Sequence, residues 1–510
     1  MRKPYLIIII FIVLPISQFL IIGIFSYNIS HPDDLHLTSW NVDNSLQILP
    51  NKLEISSTFN ASDHIGLRDT DNEYGLTGNN ITVAVVDTGI FSNHSVITND
   101  GKLNWNDRII TYVDFINNKS SNPQDDNGHG TWTASILGGN SSEYRGVAPG
   151  IKFVILKIFD SSGETNTTIF ENAVNWILLN KDILNIKIVS MSFGAKPEAN
   201  NIYSILYLQK LTRRLADIGI LVIAAAGNDG NPNLANGDGT INAPASDKAI
   251  FAVGGVDYDG NMYPYSAEGP TIEMTRKPDV CAPAVAIYGA DIGFSNSYSF
   301  RSGTSGATPF VAGLAALMLE KDETLTPSQL KSIISLTSLK TTNPRVFQDN
   351  IQGWGVVQGY AALDALEPPV LINVSTEIEF FLNEDYSVYC LPIRLAPNHY
   401  YFELAQLGLA KAEMYLYHKE TNVFGIPKMI SNTINQIIPD RQLKRLGVFT
   451  SVFQDYFLLV KLLNNESGNF IVRLVFEYGN IIFMVLLGIN IIGLVYARIL
   501  YQRVYQRDIG

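Results

Sequence analysis

Three short segments of this sequence contain residue types that together can hydrolyse an acyl bond. Asp87 ends an apolar run, His129 lies in Asn-Gly-His-Gly-Thr, and Ser305 lies in Ser-Gly-Thr-Ser-Gly-Ala. A serine hydroxyl is a poor nucleophile at neutral pH, so it needs an imidazole that accepts its proton. A carboxylate must then hold the imidazole in one tautomer and stabilise its charged form. The three segments therefore predict a Ser-His-Asp triad.

Two other kinds of hydrolytic site are excluded by the same segments. An aspartic protease brings two carboxylates together from two Asp-Thr-Gly or Asp-Ser-Gly loops, and the sequence has only one such loop. The nucleophile elbow of an α/β-hydrolase has the pattern Gly-x-Ser-x-Gly. Ser305 is instead followed by Gly306 and Ala307, so the second glycine of that pattern is missing.

The elements around the triad are those that such a site needs. Residues 81–86 form a β-branched apolar run, which predicts a buried strand with Asp87 at its carboxyl end. His129 and the small and apolar residues up to position 137 indicate a loop that leads into a helix. A second helix is predicted at 307–319, with Pro309 in its first turn and its positive dipole end at Ser305.

A fourth segment supplies a group that stabilises negative charge. Residues 221–226 predict another buried strand, and Gly-Asn-Asp-Gly follows it at 227–230. A side-chain amide aimed at a developing oxyanion lowers the barrier of acyl transfer. Asn228 is therefore the predicted oxyanion-hole donor.

Taken in order, these four motifs resemble the subtilisin-like serine proteases, the subtilases, over about residues 63–366. The intervals are comparable as well: 42 residues separate Asp87 from His129, 99 separate His129 from Asn228, and 77 separate Asn228 from Ser305. The resemblance implies an α/β fold, a three-layer domain with a mainly parallel sheet. It also implies a serine endopeptidase that acts on polypeptides and requires no cofactor for its chemistry.

The resemblance further implies where a substrate binds. Two small-residue segments would flank it, and Asn242 would line the base of the specificity pocket, next to a cis bond between Ala243 and Pro244. Phe193 would narrow the pocket farther out and favour an apolar substrate side chain. The implied substrate-binding residues are Ser192, Phe193, Gly194, Ala225, Ala226, Gly227 and Asn242.

A structural calcium ion is an expectation from the family alone, and no ligands are assigned to it. Residues 125–127, Asp-Asp-Asn, are predicted to form a solvated loop, since contiguous acids before a catalytic histidine usually do. The family's usual calcium loop is shortened here to residues 139–145. Two departures from the family pattern lie closer to the site: Gly306 where methionine is common, and Trp132 where a second histidine is common.

Alternating strand-like and helix-like runs extend through residues 81–366, most of the predicted catalytic domain at 63–366. Strands are expected at 81–86, 152–158, 186–191, 221–226 and 249–253, and helices at 169–180 and 202–219. Residues 367–477 have short alternating runs at 377–382, 400–404, 413–418, 456–462 and 470–476. That spacing predicts a small all-β sandwich, to which no chemistry is assigned.

Composition excludes other classes of protein. The 510 residues are 46% apolar, enough for a sizeable core, and the net charge is −12 with no basic run, so we expect no nucleic-acid partner. Only two cysteines occur, Cys281 and Cys390, one in each predicted domain. A disulfide framework is therefore not expected, and both are predicted to be buried.

Both ends of the chain carry long apolar segments beside positive charge. Residues 1–27 predict a signal peptide or an N-terminal transmembrane anchor, and 28–62 a linker or short propeptide-like segment. Residues 478–497 predict a transmembrane helix, and 498–510, with three arginines, a cytoplasmic tail. The positive-inside rule then leaves the body of the chain outside the cytoplasm, tethered to the cell membrane by one or two transmembrane helices.

Two functions from different classes follow from these observations. The first is an extracytoplasmic, membrane-anchored serine endopeptidase that works through an acyl-enzyme. The second is a catalytically silent subtilase scaffold that acts as a cell-surface binding module. The short segment at 28–62, which lacks the length of a folded inhibitory propeptide, favours the second function, and the complete set of four catalytic residues favours the first.

Overall fold

The computed structural model describes residues 37–38, 59–67, 74–120, 122–198, 201–230, 239–341, 348–372, 376–383, 386–407, 409–432, 443–464 and 466–476. The predicted membrane segments at 1–27 and 478–497 lie outside these residues. Within the described part of the chain, none of the helices combines the length and the apolar character that a bilayer crossing needs.

The helices alternate with strands through the first two thirds of the chain. In chain order the α-helices are α1 (Ser95–Thr98), α2 (His129–Gly138), α3 (Thr167–Asn180), α4 (Ile202–Asp217), α5 (Thr304–Lys321), α6 (Pro327–Thr337) and α7 (Gly359–Asp364), with 3₁₀ turns at Ala61–Ile65 and Trp105–Asp107. The strands up to residue 301 are β1 (Leu37–Thr38), β2 (Phe59–Asn60), β3 (Thr82–Asp87), β4 (Ile109–Asp114), β5 (Tyr144–Arg145), β6 (Lys152–Lys157), β7 (Glu164–Thr165), β8 (Ile186–Met191), β9 (Leu221–Ala225), β10 (Phe251–Val256), β11 (Val280–Pro283), β12 (Ile287–Ala290) and β13 (Tyr298–Arg301).

Seven of these strands form one sheet in the order β11-β10-β9-β8-β3-β6-β4, and every neighbouring pair is parallel. Side chains of β3 alternate between the two faces, as a strand requires. Val83 and Val85 belong to the apolar cluster that contains α2 and α5, whereas Ala84 and Val86 belong to the cluster that contains α3 and α4. The α/β prediction is confirmed, with helices on both faces of a parallel sheet.

Several predicted elements differ from the structure in detail. Helix α5 begins at Thr304, so Pro309 lies inside the helix and not in its first turn. The strand predicted at 249–253 is displaced to Phe251–Val256. Parts of the predicted linker at 28–62 are ordered, because β1 pairs with β7 and β2 pairs with β5.

The described residues between 370 and 476 form the predicted β-sandwich. Its strands are β14 (Val370–Ile372), β15 (Glu377–Leu382), β16 (Val388–Leu395), β17 (Asn398–Leu407), β18 (Ala412–His418), β19 (Met429–Asn432), β20 (Leu443–Thr450), β21 (Gln454–Leu462) and β22 (Gly468–Phe476). One sheet has the order β14-β16-β21-β18-β19 and the other β15-β22-β17-β20. All five strand-like runs predicted in this region fall within these strands.

The five-stranded sheet of the sandwich packs on both of its faces. Leu416 and Leu458 belong to the sandwich core, whereas their neighbours Tyr417 and Phe457 belong to the core of the α/β domain. The hydroxyl of Tyr360 on α7 accepts a hydrogen bond of 2.7 Å from the backbone N–H of Val388. Cys281 and Cys390 are both buried as free thiols, as predicted.

A partly buried lysine lies where the two domains meet. Lys461 on β21 donates a hydrogen bond of 2.6 Å from Nζ to the carbonyl of Ser338, the residue that follows α6. Desolvation lowers the pKa of Lys461 to about 7; the neighbouring Cys390 thiol opposes this shift, and the nearby positive charge of Lys340 adds to it. The domain contact therefore contains a group whose charge changes near neutral pH.

Replacing this lysine with an apolar side chain should make stability depend less on pH. Above about pH 7 the native side chain of Lys461 is neutral, whereas a lysine in the unfolded chain stays charged up to about pH 10. The unfolded state then binds more protons, so stability rises with pH across this window. We expect the difference in the free energy of unfolding, wild type minus Lys461→Met, to increase from about pH 7 to about pH 10.

Denaturant unfolding at several pH values measures this difference. Lys102→Met, at an exposed position, is the matched control for loss of one positive charge. A wild-type advantage over Lys461→Met that stays constant across the window would contradict the prediction.

Candidate active site

Asp87 and His129 are brought together by the carboxyl end of β3 and the first residue of α2. The Nδ1 atom of His129 lies 2.7 Å from Oδ1 of Asp87, and both residues are buried. The carboxylate also accepts hydrogen bonds from the backbone N–H of Thr88, at 2.7 Å, and from the hydroxyl of Thr133, at 3.2 Å. With Asp87 facing it, the imidazole is held with Nδ1 as the donor and Nε2 directed away.

The turn before His129 is organised by a buried carboxylate. Asp125 is 9% exposed, and its Oδ1 accepts from the hydroxyl of Thr88 at 2.9 Å and from the backbone N–H of Gly128 at 2.8 Å. Its Oδ2 accepts from both the N–H and the hydroxyl of Thr131, at 2.9 and 2.7 Å. The solvated loop predicted for residues 125–127 is therefore wrong for Asp125, whose oxygens are engaged by donors on both sides of His129.

Ser305 is the second residue of α5, close to the amino end of that helix. Its hydroxyl donates a hydrogen bond of 2.8 Å to the carbonyl of Ser192. Among the described residues, Nε2 of His129 is buried and has no hydrogen-bond partner. The structure thus contains the Asp-His contact of a triad, and the serine hydroxyl points to a backbone carbonyl instead of to the imidazole.

Asn228 follows β9 and is held by the residue before Ser305. Its Oδ1 accepts from the backbone N–H of Thr304 at 2.9 Å and from the Thr304 hydroxyl at 3.0 Å. Because the amide oxygen is occupied by these two donors, the Nδ2 donors are left for another acceptor. The same Thr304 hydroxyl accepts from the N–H of Gly227 at 3.2 Å, which links the end of β9 to the start of α5.

A glycine is required where these two elements meet. Gly303 has a φ of 146°, in the region that L residues rarely adopt. A Cβ atom there would also lie 3.0 Å from Nδ2 of Asn228. A larger residue at this position would press on the amide group that faces the site.

The predicted substrate-binding residues are adjacent in space, with one exception. The backbone N–H of Asn242 donates to the carbonyl of Ala226 at 2.8 Å, and Gly194 and Gly227 both lie against the Asn242 side chain. Ala225 ends β9 beside them. The bond between Ala243 and Pro244 is cis, as predicted.

Phe193 is the exception, because its side chain belongs to the core. It is 2% exposed, and its ring lies 5.0 Å from that of Phe159 and 5.8 Å from that of Phe170. The prediction that Phe193 narrows a substrate pocket is therefore wrong. In a segment that continues a buried strand, alternate side chains point away from the cleft, so Ser192 and Phe193 cannot both face it.

The side chains around Asn242, at the base of the proposed substrate pocket, are polar. Asn242 is fully buried, and its Nδ2 donates to Oδ2 of Asp229 at 3.3 Å, while its Oδ1 has no partner among the described residues. Lys196 approaches Asp229 at 3.8 Å. Thr304, Asp125 and Asp229 were all missed by sequence reasoning, although each lies within three residues of a predicted site residue or catalytic motif.

The two departures from the family pattern occupy the same space. Trp132 is fully buried and donates from Nε1 to the carbonyl of Ile287 at 3.1 Å. A Cβ atom on Gly306 would lie 2.8 Å from the far edge of the Trp132 ring. The indole therefore fills the volume that a side chain at position 306 would need.

No group of three or more His, Cys, Asp or Glu side chains in the described parts of the chain is arranged to hold a metal ion. The oxygens of Asp125 already accept from backbone and hydroxyl donors, and Asp126 pairs with the buried Nζ of Lys157 at 2.7 Å. These acids do not fit a calcium site, which needs several convergent oxygens.

Comparison with known proteins gives consistent matches over the α/β domain. A family model described as the subtilase family, Peptidase S8, matches residues 78–355. Subtilisin DY of Bacillus licheniformis is 32% identical over 266 residues, which are 52% of this chain and 85% of that protein. Serine protease AprX of Bacillus subtilis (strain 168) is 33% identical over 310 residues, 55% of this chain and 66% of that protein. The membrane-bound transcription factor site-1 protease of Homo sapiens is 27% identical over 313 residues, 59% of this chain and 27% of that protein.

The packing of Trp132 predicts that positions 132 and 306 are energetically coupled. Gly306→Met forces extra volume against the indole, and such overpacking costs about 1–3 kcal/mol. Combining it with Trp132→His removes the obstruction, so the double variant should be more stable than the sum of the single effects predicts. A coupling free energy of about 0.5–3 kcal/mol is expected for residues in contact.

Denaturant unfolding of the two single variants and the double variant measures this coupling. Gly293→Ala is the control, since a Cβ there meets only the side chain of Ser297. Strict additivity of the two single effects would show that the contact carries no such coupling.

Proposed function

Because the chain belongs to the subtilase family and is a subtilisin-like serine endopeptidase, we propose that Asp87, His129 and Ser305 form its catalytic triad. Asn228 is proposed as the oxyanion donor. The observation that carries this assignment is the 2.7 Å contact between Asp87 and His129 at the carboxyl edge of the sheet. Subtilases act on polypeptides, and we assign peptide-bond hydrolysis to these residues.

Acylation begins when the Ser305 hydroxyl leaves the carbonyl of Ser192 and turns to Nε2 of His129. The Ser305 oxygen attacks the peptide carbonyl carbon while Nε2 takes its proton. Asp87 holds the Nδ1–H and stabilises the imidazolium. When the tetrahedral intermediate collapses, the C–N bond breaks and the departing amine takes the proton from Nε2.

The negative charge of the tetrahedral intermediate needs fixed donors. We propose the Nδ2 group of Asn228 and the backbone N–H of Ser305, which lies in the first turn of α5 where N–H groups lack partners within the helix. A water molecule then attacks the acyl carbon while Nε2 takes a proton from it; the C–O bond to Ser305 breaks, and Nε2 returns the proton to the Ser305 oxygen. All groups that move protons or bind charge are protein groups, so the chemistry requires no cofactor.

Substrate binding is proposed along the segments that meet at Asn242. The backbones of residues 192–194 and 225–227 would pair with an extended polypeptide, and Asn242 would line the pocket between them. A structural calcium ion stays a prediction without assigned ligands.

We also propose that the enzyme is anchored in the cell membrane with its catalytic domain outside the cytoplasm. The support is the apolar segment at 478–497 followed by a tail with three arginines, and the basic, apolar segment at 1–27. The alternative of a catalytically silent binding module is not favoured, since the matched relatives are proteases and the four catalytic residue types are all present.

Removing the nucleophile should abolish activity. Ser305→Ala is expected to lower kcat by on the order of a millionfold, because no other group can form the acyl-enzyme. Casein hydrolysis and covalent labelling by a fluorophosphonate are the measurements, with Ser295→Ala, at an exposed serine, as the matched control. Labelling of Ser305→Ala at the wild-type rate would overturn the assignment.

Asn228 allows its donor and acceptor roles to be separated. Asn228→Asp keeps an oxygen that accepts from Thr304 but removes the N–H donors, whereas Asn228→Ala removes both. We expect kcat to fall by at least about 10²–10³-fold in both variants, with little change in KM. Unfolding measurements should show the larger loss of stability in Asn228→Ala. Wild-type kcat in Asn228→Asp would exclude the amide as the oxyanion donor.

A further inference from the structure

Three large apolar side chains are exposed at the end of β20 and in the turn that leads to β21. Phe449 is 60% exposed, Val452 is 56% exposed and Phe453 is 64% exposed, and together they are called the apolar tip. The turn is held by a hydrogen bond of 2.5 Å from the Thr450 hydroxyl to the carbonyl of Val452. Residues 449–453 include no charged residue. Exposed apolar groups clustered on one ordered turn usually mark a binding surface.

Neighbouring residues extend this surface. Leu371 on β14 is 49% exposed and lines the same surface depression as Phe453. The nearest acid, Asp455, is paired with Arg394 through hydrogen bonds of 2.5 and 2.8 Å, so its charge is neutralised beside the tip. Lys419 and Glu420 line the same depression, so charged groups border the apolar tip, as they do where a protein surface meets the headgroup region of a bilayer.

Strand register places the apolar tip at the end of the sandwich from which the chain leaves. Tyr400 on β17 pairs with Val448 on one side and with Phe476, the last residue of β22, on the other. These three residues form one row across the sheet, and the apolar tip begins one residue beyond that row. The carboxyl end of the sandwich and the tip therefore share one edge.

Only one residue separates this edge from the predicted transmembrane segment. Residue 478 is two positions after Phe476, and two residues span at most about 7 Å of extended chain. If the segment at 478–497 crosses a bilayer, the edge that carries Phe449, Val452 and Phe453 is confined close to the lipid surface. Aromatic and aliphatic side chains at that depth gain free energy by leaving water.

We propose that the apolar tip inserts into the interface of the lipid bilayer that residues 478–497 cross, giving the ectodomain a second contact with the membrane. This inference rests on the anchoring proposed above. The sandwich then fixes the orientation of the catalytic domain relative to the membrane, and lipid is the binding partner of the apolar tip.

The opposite end of the sandwich supplies a matched control. Leu409 follows β17, whose last residue Leu407 pairs with Asn469 at the start of β22, and it is 78% exposed. A side chain of similar chemistry and greater exposure is therefore present at the end that faces away from the chain exit.

The test uses the full chain reconstituted in phosphatidylcholine vesicles. Val452→Cys, Phe453→Cys and Leu409→Cys are each labelled with an environment-sensitive fluorophore, since the native thiols of Cys281 and Cys390 are buried. Spin-labelled phosphatidylcholine is the quencher, and alkaline carbonate extraction tests the anchor independently. We expect a blue shift and lipid-dependent loss of emission at 452 and 453, with neither at 409.

Each other outcome overturns the proposal in a distinguishable way. Unquenched labels at 452 and 453 in protein that resists carbonate extraction would leave the anchor intact and exclude tip insertion. A blue shift without quenching would show that protein, such as a second copy of this chain, covers the tip. Equal quenching at 409 would show contact without end specificity. Release by carbonate would overturn the anchor and, with it, this inference.

Discussion

The hydrogen bond between Asp87 and His129 is the contact on which the arrangement of the site depends. It joins the last residue of β3 to the first residue of α2, and both groups are buried, so any relative movement of the two elements would leave a charged or polar group without a partner. Asp125 reinforces it from the other side, because its Oδ1 accepts from Thr88 and from the turn that contains Gly128, while its Oδ2 accepts from Thr131. Two buried carboxylates thus fix one imidazole, and donors drawn from adjacent chain segments satisfy both.

The sequence was most informative where local pattern and tertiary role agree. β8 has the bounds predicted for it, and the other strands of the catalytic domain lie within a few residues of those expected, because fully buried parallel strands are continuous apolar runs. The role of Asp125 could not be predicted, since contiguous acids look solvated until distant donors are folded around one of them. The side chain of Phe193 lies in the core and not in the predicted substrate pocket for a related reason. A sequence motif does not specify the face of the strand to which each of its side chains points. Pro309 shows the same limit at a helix end, where the first helical residue depends on the Thr304–Asn228 contact.

The two departures from the family pattern, at positions 132 and 306, can be explained only from the three-dimensional structure. Trp132 and Gly306 are far apart in the sequence, and each alone reads as a tolerated variation. In the structure the indole occupies the space beside position 306, and the same ring approaches the imidazole of His129 at 5.9 Å between centroids. A large residue on α2 therefore requires a small one on α5. The position after the proposed nucleophile is constrained by the packing of the helix that begins at His129.

The sandwich is joined to the α/β domain by burial, and this limits how the two can move. Its five-stranded sheet contributes Tyr417 and Phe457 to one core and Leu416 and Leu458 to the other, so separating the domains would expose aromatic and aliphatic groups along a whole sheet face. The hydrogen bonds from Val388 to Tyr360 and from Nζ of Lys461 to the Ser338 carbonyl add directional contacts across the same face. A constraint applied to the end of β22 is therefore transmitted through packed strands to α6 and α7. Because α7 and α5 belong to the same apolar cluster, α7 connects the packing of the sandwich with that of the helix that contains Ser305.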